Sequence, residues 1–229
     1  MNSLNILSGG AAHGLVASLA PAFKTNTGFE IKGEFGAVGG MADKLRNGVA
    51  ADLIILTNAL VAKLADEKLL SSITDIGVVE TALAVRSGDP KVAVSNADDL
   101  RAAFLAADAI FVPDIKASTA GIHVAKVVAQ LGIADEVAPR LKIYLNGATA
   151  MRELAASAAK RPIGCTQSTE IISTSGVELS GSLPKGCELA TMYTAGVTTS
   201  AAHAEQAQAL IELLTSADAR EQRARAGFL

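Results

Sequence analysis

The sequence of 229 residues contains no tryptophan, and aromatic residues make up only 3% of it. That scarcity removes the stacking platforms on which single-stranded nucleic acids are held. Lysine and arginine number 20 against 23 acidic residues and form no basic run, so the electrostatic footprint of a nucleic-acid binder is missing as well. No apolar run approaches the roughly 18 residues needed to span a bilayer. The N-terminal MNSLNILSGG has neither a basic segment nor a sustained apolar one, and the first positive residue is Lys24. On that reading there is no signal peptide, and the expected location is cytoplasmic, or periplasmic if a leader has been removed. The two cysteines, Cys165 and Cys187, do not form a CxxC pair. Their contexts PIGCT and KGCEL read as apolar strands, which predicts buried thiols and leaves a disulfide open. Neither GxxxxGKS/T, GxGxxG nor GxSxG occurs, which argues against nucleotide phosphates and against the serine-hydrolase elbow. His13, His123 and His203 lie far apart without ligand spacing, so neither a metal nor a cofactor is expected.

What is present is an alternation of two periodicities. Half of the residues are hydrophobic, dominated by alanine, valine and leucine, as in close-packed α/β layers. Strands are predicted at 4–7, 29–35, 52–56, 78–86, 109–112, 141–145, 163–166 and 189–198. Helices are predicted at 15–27, 39–48, near 60–64, from Asn96 onward, and at 120–131, 147–159, 202–215 and 218–226. The run DLIIL at 52–56 is apolar on both faces and reads as a central parallel strand. Two lobes joined by crossover strands near 77–86 and 189–198 are expected, with lobe I at 1–77 plus 197–229 and lobe II at 78–196.

Six strand-to-helix junctions share one chemistry: SGGAAHG (8–14), FGAVGGM (35–41), LTN (56–58), KAST (116–119), YLNGAT (144–149) and CTQST (165–169). Small residues leave backbone N–H groups accessible there, and helix N-termini attract anions through those groups and the helix dipole. In open α/β sheets ligands bind beyond the carboxyl ends of strands, which is where these junctions lie. Tight turns alone also select Gly and Ser, so one junction says little. Six in one chain point to a site for a small anion.

The order of these junctions resembles the molybdate-binding branch of the type 2 periplasmic-binding-protein family over nearly the whole chain. The resemblance is carried by ILSGGAAHGLVASLAPAFKTNTGFEIKGEFGAVGGMADKLRNGVAADLIILTN, by KASTAGIHVAKVVAQLGIADEV and by AEQAQALIELLTSADAREQRARAGF. It implies a two-lobed α/β fold with an anion held in a cleft between the lobes by backbone N–H groups and hydroxyls. Carried over by position, the contacts fall on Ser8, Gly9, Gly10, Ala11, Ala37, Val38, Gly39, and near Thr57, Ser118 and Gln167. The two hydroxyls that the family presents to a tetrahedral oxyanion fall on Ala11 and Val38. Losing two charge-assisted bonds costs about 3–6 kcal/mol of affinity, enough to abandon molybdate. Val38 suits instead the carbon skeleton of an organic acid. Further polar candidates are His13, Asn58, Lys116, Thr119, Asn146 and Glu170. Proteins of this architecture also include aconitate-isomerase-like members, so the expectation divides between a carboxylate-binding protein, partnered by an ABC permease if exported, and an isomerase of a small carboxylic acid. For the isomerase, His13, Lys116 and Glu170 are the candidate acid/base residues. Each has a plainer alternative: His13 a ligand contact, Lys116 an exposed loop residue, Glu170 a solvated first-turn charge.

Overall fold

The computed structural model describes residues 2–229, and the chain forms two compact units. Unit 1 comprises the chain up to Val79 together with Thr191–Leu229, and unit 2 is Glu80–Ala190. In chain order, unit 1 contains β1 (Ser3–Gly9), a tight helical turn (Gly10–Ala12), α1 (His13–Thr27), β2 (Glu30–Gly36), α2 (Val38–Arg46), β3 (Leu53–Thr57) and α3 (Asn58–Asp66). The long strand β4 (Leu70–Arg86) begins in unit 1 and ends in unit 2. Unit 2 adds α4 (Ala97–Ala106), β5 (Ala109–Pro113), α5 (Thr119–Gln130), α6 (Ala134–Val137), β6 (Leu141–Tyr144), α7 (Gly147–Ala155), β7 (Pro162–Gln167), α8 (Ser168–Ile172) and β8 (Val177–Ser182). Strand β9 (Ala190–Thr198) returns the chain to unit 1, which closes with α9 (Ala204–Thr215) and α10 (Arg220–Arg225).

In unit 1 the strand order is β2-β1-β3-β9, with the first part of β4 beside β9. Strand β1 is parallel to β2 and to β3, while β3 is antiparallel to β9. Residues 52–56 are thus central, as both-sided burial demands, but parallel on one side only, because β9 arrives from the far end of the chain. Helix α1 turns Leu15, Val16, Leu19 and Phe23 inward and stops at Gly28, whose left-handed φ of 75° favours glycine. Helices α9 and α10 both pack on α1, and Leu210, Ile211, Leu214 and Phe228 join the same core.

In unit 2 the order is β6-β5-β7-β4, with β8 on the other side of β4. Strand β5 is parallel to β6 and β7, and β4 runs antiparallel to β7 and β8. Alternation along the strands feeds two cores. Leu83 and Cys165 face the one built with Leu100, Phe104 and Val124, while Ala82 and Ala84 face the one built with Met151 and Leu154. Three corrections to the sequence reading follow. Strand β4 starts at Leu70, eight residues before the expected 78, and its first half is too polar (SSITD) to have shown it. Cys187 sits in a turn, not a strand, although it is buried as expected, and both cysteines are free thiols. Elements α6 and β8 were not anticipated, being short or, like VELSGS, largely polar. Among the described residues no helix is long and apolar enough to cross a membrane.

Candidate functional site

In unit 1 the parallel register sets Gly9 opposite Gly36. The turns that follow, Gly10–Ala12 and Ala37–Gly39, therefore leave the same edge of the sheet side by side. Neither is capped by a side chain: Gly9 and Ala37 occupy the cap positions without a side-chain hydrogen bond. The first N–H groups of a helix have no partner within it, so two adjacent sets of amides are presented together. Strand β3 brings a third turn to this edge, where Thr57 caps α3, again without a side-chain bond. A methyl group on Gly9 would stand 2.7 Å from Val38 Cγ1 and 3.0 Å from Tyr193 Cε1. Glycine at that position lets an apolar wall of Val38 and the Tyr193 ring close against the amides. Tyr193 escaped the sequence reading. Its signal was only that it is one of two tyrosines in an aromatic-poor chain, and its place opposite Thr57 comes from the antiparallel β3–β9 pairing.

The side chains expected around these turns divide. Ser8 is fully buried and donates its hydroxyl to Gly9 O at 2.9 Å, so the hydroxyl expected at a ligand is spent on the backbone. Ala11 and Val38 are buried and contribute amides and apolar surface. His13 is exposed at the first position of α1, with its ring edge-on to Phe35 at 4.7 Å. Asn58 Nδ2 donates to Thr194 Oγ1 at 3.3 Å, and Thr194 donates to Asp75 Oδ1 at 2.5 Å. That chain ties Asn58 toward β4 and β9, a role carried by Thr194 and Asp75, which the sequence did not reveal.

Unit 2 presents its junctions differently. Helix α5 starts at Thr119 with Ser118 as an uncapped N-cap, and a methyl on Gly121 would meet Asp114 O at 2.2 Å. The first turn of α5 is thus pressed onto the end of β5. Asp114 Oδ1 accepts from the N–H groups of Lys116 and Ala117 at 2.7 and 3.0 Å, and the Lys116 side chain is exposed. At α7 the amides are already occupied. Asn146 Oδ1 accepts from Thr149 N–H at 2.8 Å. The Glu170 carboxylate accepts from the N–H groups of Gly147, Ala148 and Gln167 and from Thr166 Oγ1, the last at 2.6 Å. A methyl on Gly147 would lie 1.9 Å from Glu170 Oε2, so glycine is what permits this approach. Burial pushes the Glu170 carboxyl above the ordinary range, against the pull of these four donors. Glu170 is therefore not a solvated first-turn charge. It is buried, and together with Asn146 it fills the junction that the sequence offered as a ligand turn. Gln167, at the end of β7, is buried beside Thr81 in the strand register.

The structure thus assembles Gly9, Gly10, Ala11, Ala37, Val38, Gly39 and Thr57 along one edge in unit 1, with His13 and Asn58 flanking them. In unit 2 it keeps Lys116, Ser118 and Thr119 at one junction and Asn146, Gln167 and Glu170 at two others. Among the described residues no group of three or more His, Cys, Asp or Glu side chains stands together as a metal site.

Solved structures with the same fold include the periplasmic molybdate-binding protein of Azotobacter vinelandii, 18% identical with a TM-score of 0.81 over 99% of this chain and 98% of that one. The sulfate-binding protein SubI of Mycobacterium tuberculosis is 18% identical, with a TM-score of 0.77 over 100% of this chain and 86% of that one. Among curated proteins, an aconitate isomerase of a Pseudomonas species is 24% identical over 96% of this chain and 84% of its own length. The profile described as "Bacterial extracellular solute-binding protein" matches residues 4–229. A two-lobed α/β fold and a match over almost every residue lead to one assignment: this chain belongs to the bacterial extracellular solute-binding protein family.

Proposed function

We propose that the protein binds a small organic carboxylate through the paired amide turns of unit 1. The observation that carries this reading is the adjacency of Gly10–Ala12 and Ala37–Gly39, both uncapped, beside an apolar wall of Val38 and Tyr193. Backbone amides recognise a carboxylate without a countercharge, and each bond to a charged partner contributes about 1.5–3 kcal/mol. A tetrahedral oxyanion asks for donors all round, but Ser8 is committed to Gly9 O, and Ala11 and Val38 have no hydroxyl. A carbon skeleton, by contrast, gains from resting on Val38 and Tyr193. The curated relative named an aconitate isomerase supports a carboxylate as the ligand class. The protein partner that goes with this reading is an ABC permease.

Thermal denaturation in the presence of citrate, aconitate, succinate, molybdate and sulfate tests the proposal. A ligand at a hundred times its dissociation constant stabilises by about 2.7 kcal/mol. Stabilisation by at least one carboxylate and not by molybdate is expected. Stabilisation by molybdate alone overturns it.

A second reading, isomerisation, rests on the same relative and on His13. That imidazole lies two residues beyond Ala11 at the start of α1, exposed beside Phe35. An acid/base there would take a proton from the methylene carbon of a bound unsaturated acid and return one to the former alkene carbon as the double bond shifts. Proton NMR of cis- or trans-aconitate incubated with the protein decides between binder and enzyme. Conversion that falls by about 100-fold in His13→Ala supports catalysis. Unchanged substrate with saturable binding leaves a binding protein.

A further inference from the structure

Unit 2 contains a cavity of about 290 Å³ that none of the candidate residues line. Its walls are Val85, Val92, Ala103, Ala106 and Ile163, and three cationic residues, Lys91, Lys160 and Arg161, line it as well. The one acidic lining residue, Asp89, is held by Arg86 Nε at 2.7 Å. Ile163 lies at the start of β7, whereas the junction at Gln167 lies at its end, about 13 Å away at the rise of a strand. The cavity is therefore at the opposite edge of the unit 2 sheet from that unit's strand-to-helix junction at Gln167.

The structure around it is braced. Arg86 also donates to Ser157 O at 2.5 Å, tying the Asp89 loop to the segment after α7. The Asp108 carboxylate accepts from the N–H groups of Lys160 and Arg161 at 2.9 and 3.0 Å, and these bonds help to hold it below the usual carboxylate range. Ser180 Oγ accepts from Val92 N–H at 2.7 Å and lies 3.0 Å from Val92 O, fixing the other side. The space exists because α4 and the turn after it place Ala103, Ala106 and Ala107 there, where larger side chains would fill it. Among the described residues, neither Lys91 nor Lys160 has an ion-pair partner.

The geometry points to a second binding site for a small monocarboxylate with an apolar body, such as a short-chain fatty acid or an arylcarboxylate. The hydrocarbon lies on the valine, isoleucine and alanine walls, and the carboxylate meets Lys91, Lys160 and Arg161. A neutral molecule of the same shape gains the walls without the cations. A polycarboxylate gains the cations but must bury charge against apolar surface. This site stands apart from the reading of the amide turns, and either one can fail without the other.

The test uses hexanoate and benzoate as probes, with hexanol as the neutral control, on protein carrying labelled alanine, valine and isoleucine methyls. Saturable shifts are expected at Ala103, Ala106 and Ile163 with both acids, at least tenfold weaker with hexanol. Ala103→Leu should abolish them by filling the cavity. Lys160→Gln with Arg161→Gln, two exposed positions that leave the fold intact, should weaken hexanoate about tenfold and leave hexanol unchanged. Binding should also weaken as salt is raised. Equal affinity for hexanol and hexanoate, or no shift at Ala103 and Ile163, overturns the site. Shifts confined to Ala11 and Val38 would also overturn it, by placing the acid at the amide turns alone.

Discussion

At the start of α7 in unit 2, the Asn146 side chain and the Glu170 carboxylate accept hydrogen bonds from Thr149, Gly147 and Ala148. At the start of α2 in unit 1, Ala37 offers no side-chain acceptor, and neither does Gly9 at the turn before α1. Both units use the same device, a helix that begins where a strand ends, with amides pointing out of the sheet edge. Unit 2 completes one such junction internally with its own carboxyl group. Unit 1 leaves two adjacent ones without a side-chain cap, and the binding proposed above uses them. On the proposed function, an anion site is defined by withheld caps as much as by residues that touch a ligand.

The strongest way to break this contrast is to remove the internal carboxyl. Glu170→Ala strands three N–H groups and the Thr166 hydroxyl in a buried setting, and should cost about 3–5 kcal/mol in urea denaturation. Glu170→Gln should cost less and should also change the pH dependence. The folded carboxyl keeps its proton to higher pH than the unfolded one. Between the two values the folded state binds more protons, so this group's contribution is full below the unfolded value and falls as pH rises through the folded one. Denaturation midpoints of wild type and Glu170→Gln across that window should diverge with this sign; a slope unchanged by the substitution would show that Glu170 is not its source.

Next in size is Gly9→Ala, whose methyl collides with Val38 and Tyr193. Overpacking of this kind costs about 1–3 kcal/mol, and carboxylate binding should be lost with it, as titration calorimetry would report. Val38→Ser restores a hydroxyl at the second turn. Affinity for carboxylates should drop about tenfold and that for sulfate or molybdate should rise, the equivalent of about 1.4 kcal/mol in opposite directions. The smallest pair sharpens the comparison most. Asn146→Ala should destabilise by about 1 kcal/mol without changing ligand affinity, because that cap belongs to the fold. Ala37→Asn should stabilise α2 by a similar amount while weakening the anion, because a new cap competes for the same amides.

These relations were unequally legible in the sequence. The open junctions were readable because SGGAAHG and FGAVGGM combine small residues with a following helical period, a purely local signal. The Glu170 arrangement was not readable. Its partners Gly147 and Ala148 lie more than twenty residues earlier, and STEII looks like an ordinary acidic first turn until the fold brings α7 and α8 together. Ser8 shows the opposite limit, since a serine beside glycines suggests a ligand donor, and only the local geometry shows its hydroxyl on Gly9 O. Strand β3 was recognised from its continuous apolar run, but its antiparallel neighbour β9 is encoded some 140 residues away and leaves no mark on it.

Both cysteines fall in unit 2, and unit 1 has none. Cys165 is sealed in the β7 core, with its thiol pushed up to about 12 by burial, and Cys187 is shifted in the same direction. At pH 8 about one Cys165 in ten thousand carries the reactive thiolate while the fold is intact. An alkylating reagent followed by mass spectrometry therefore acts as a clock for the opening of one unit and is blind to the other, without any label having to be introduced.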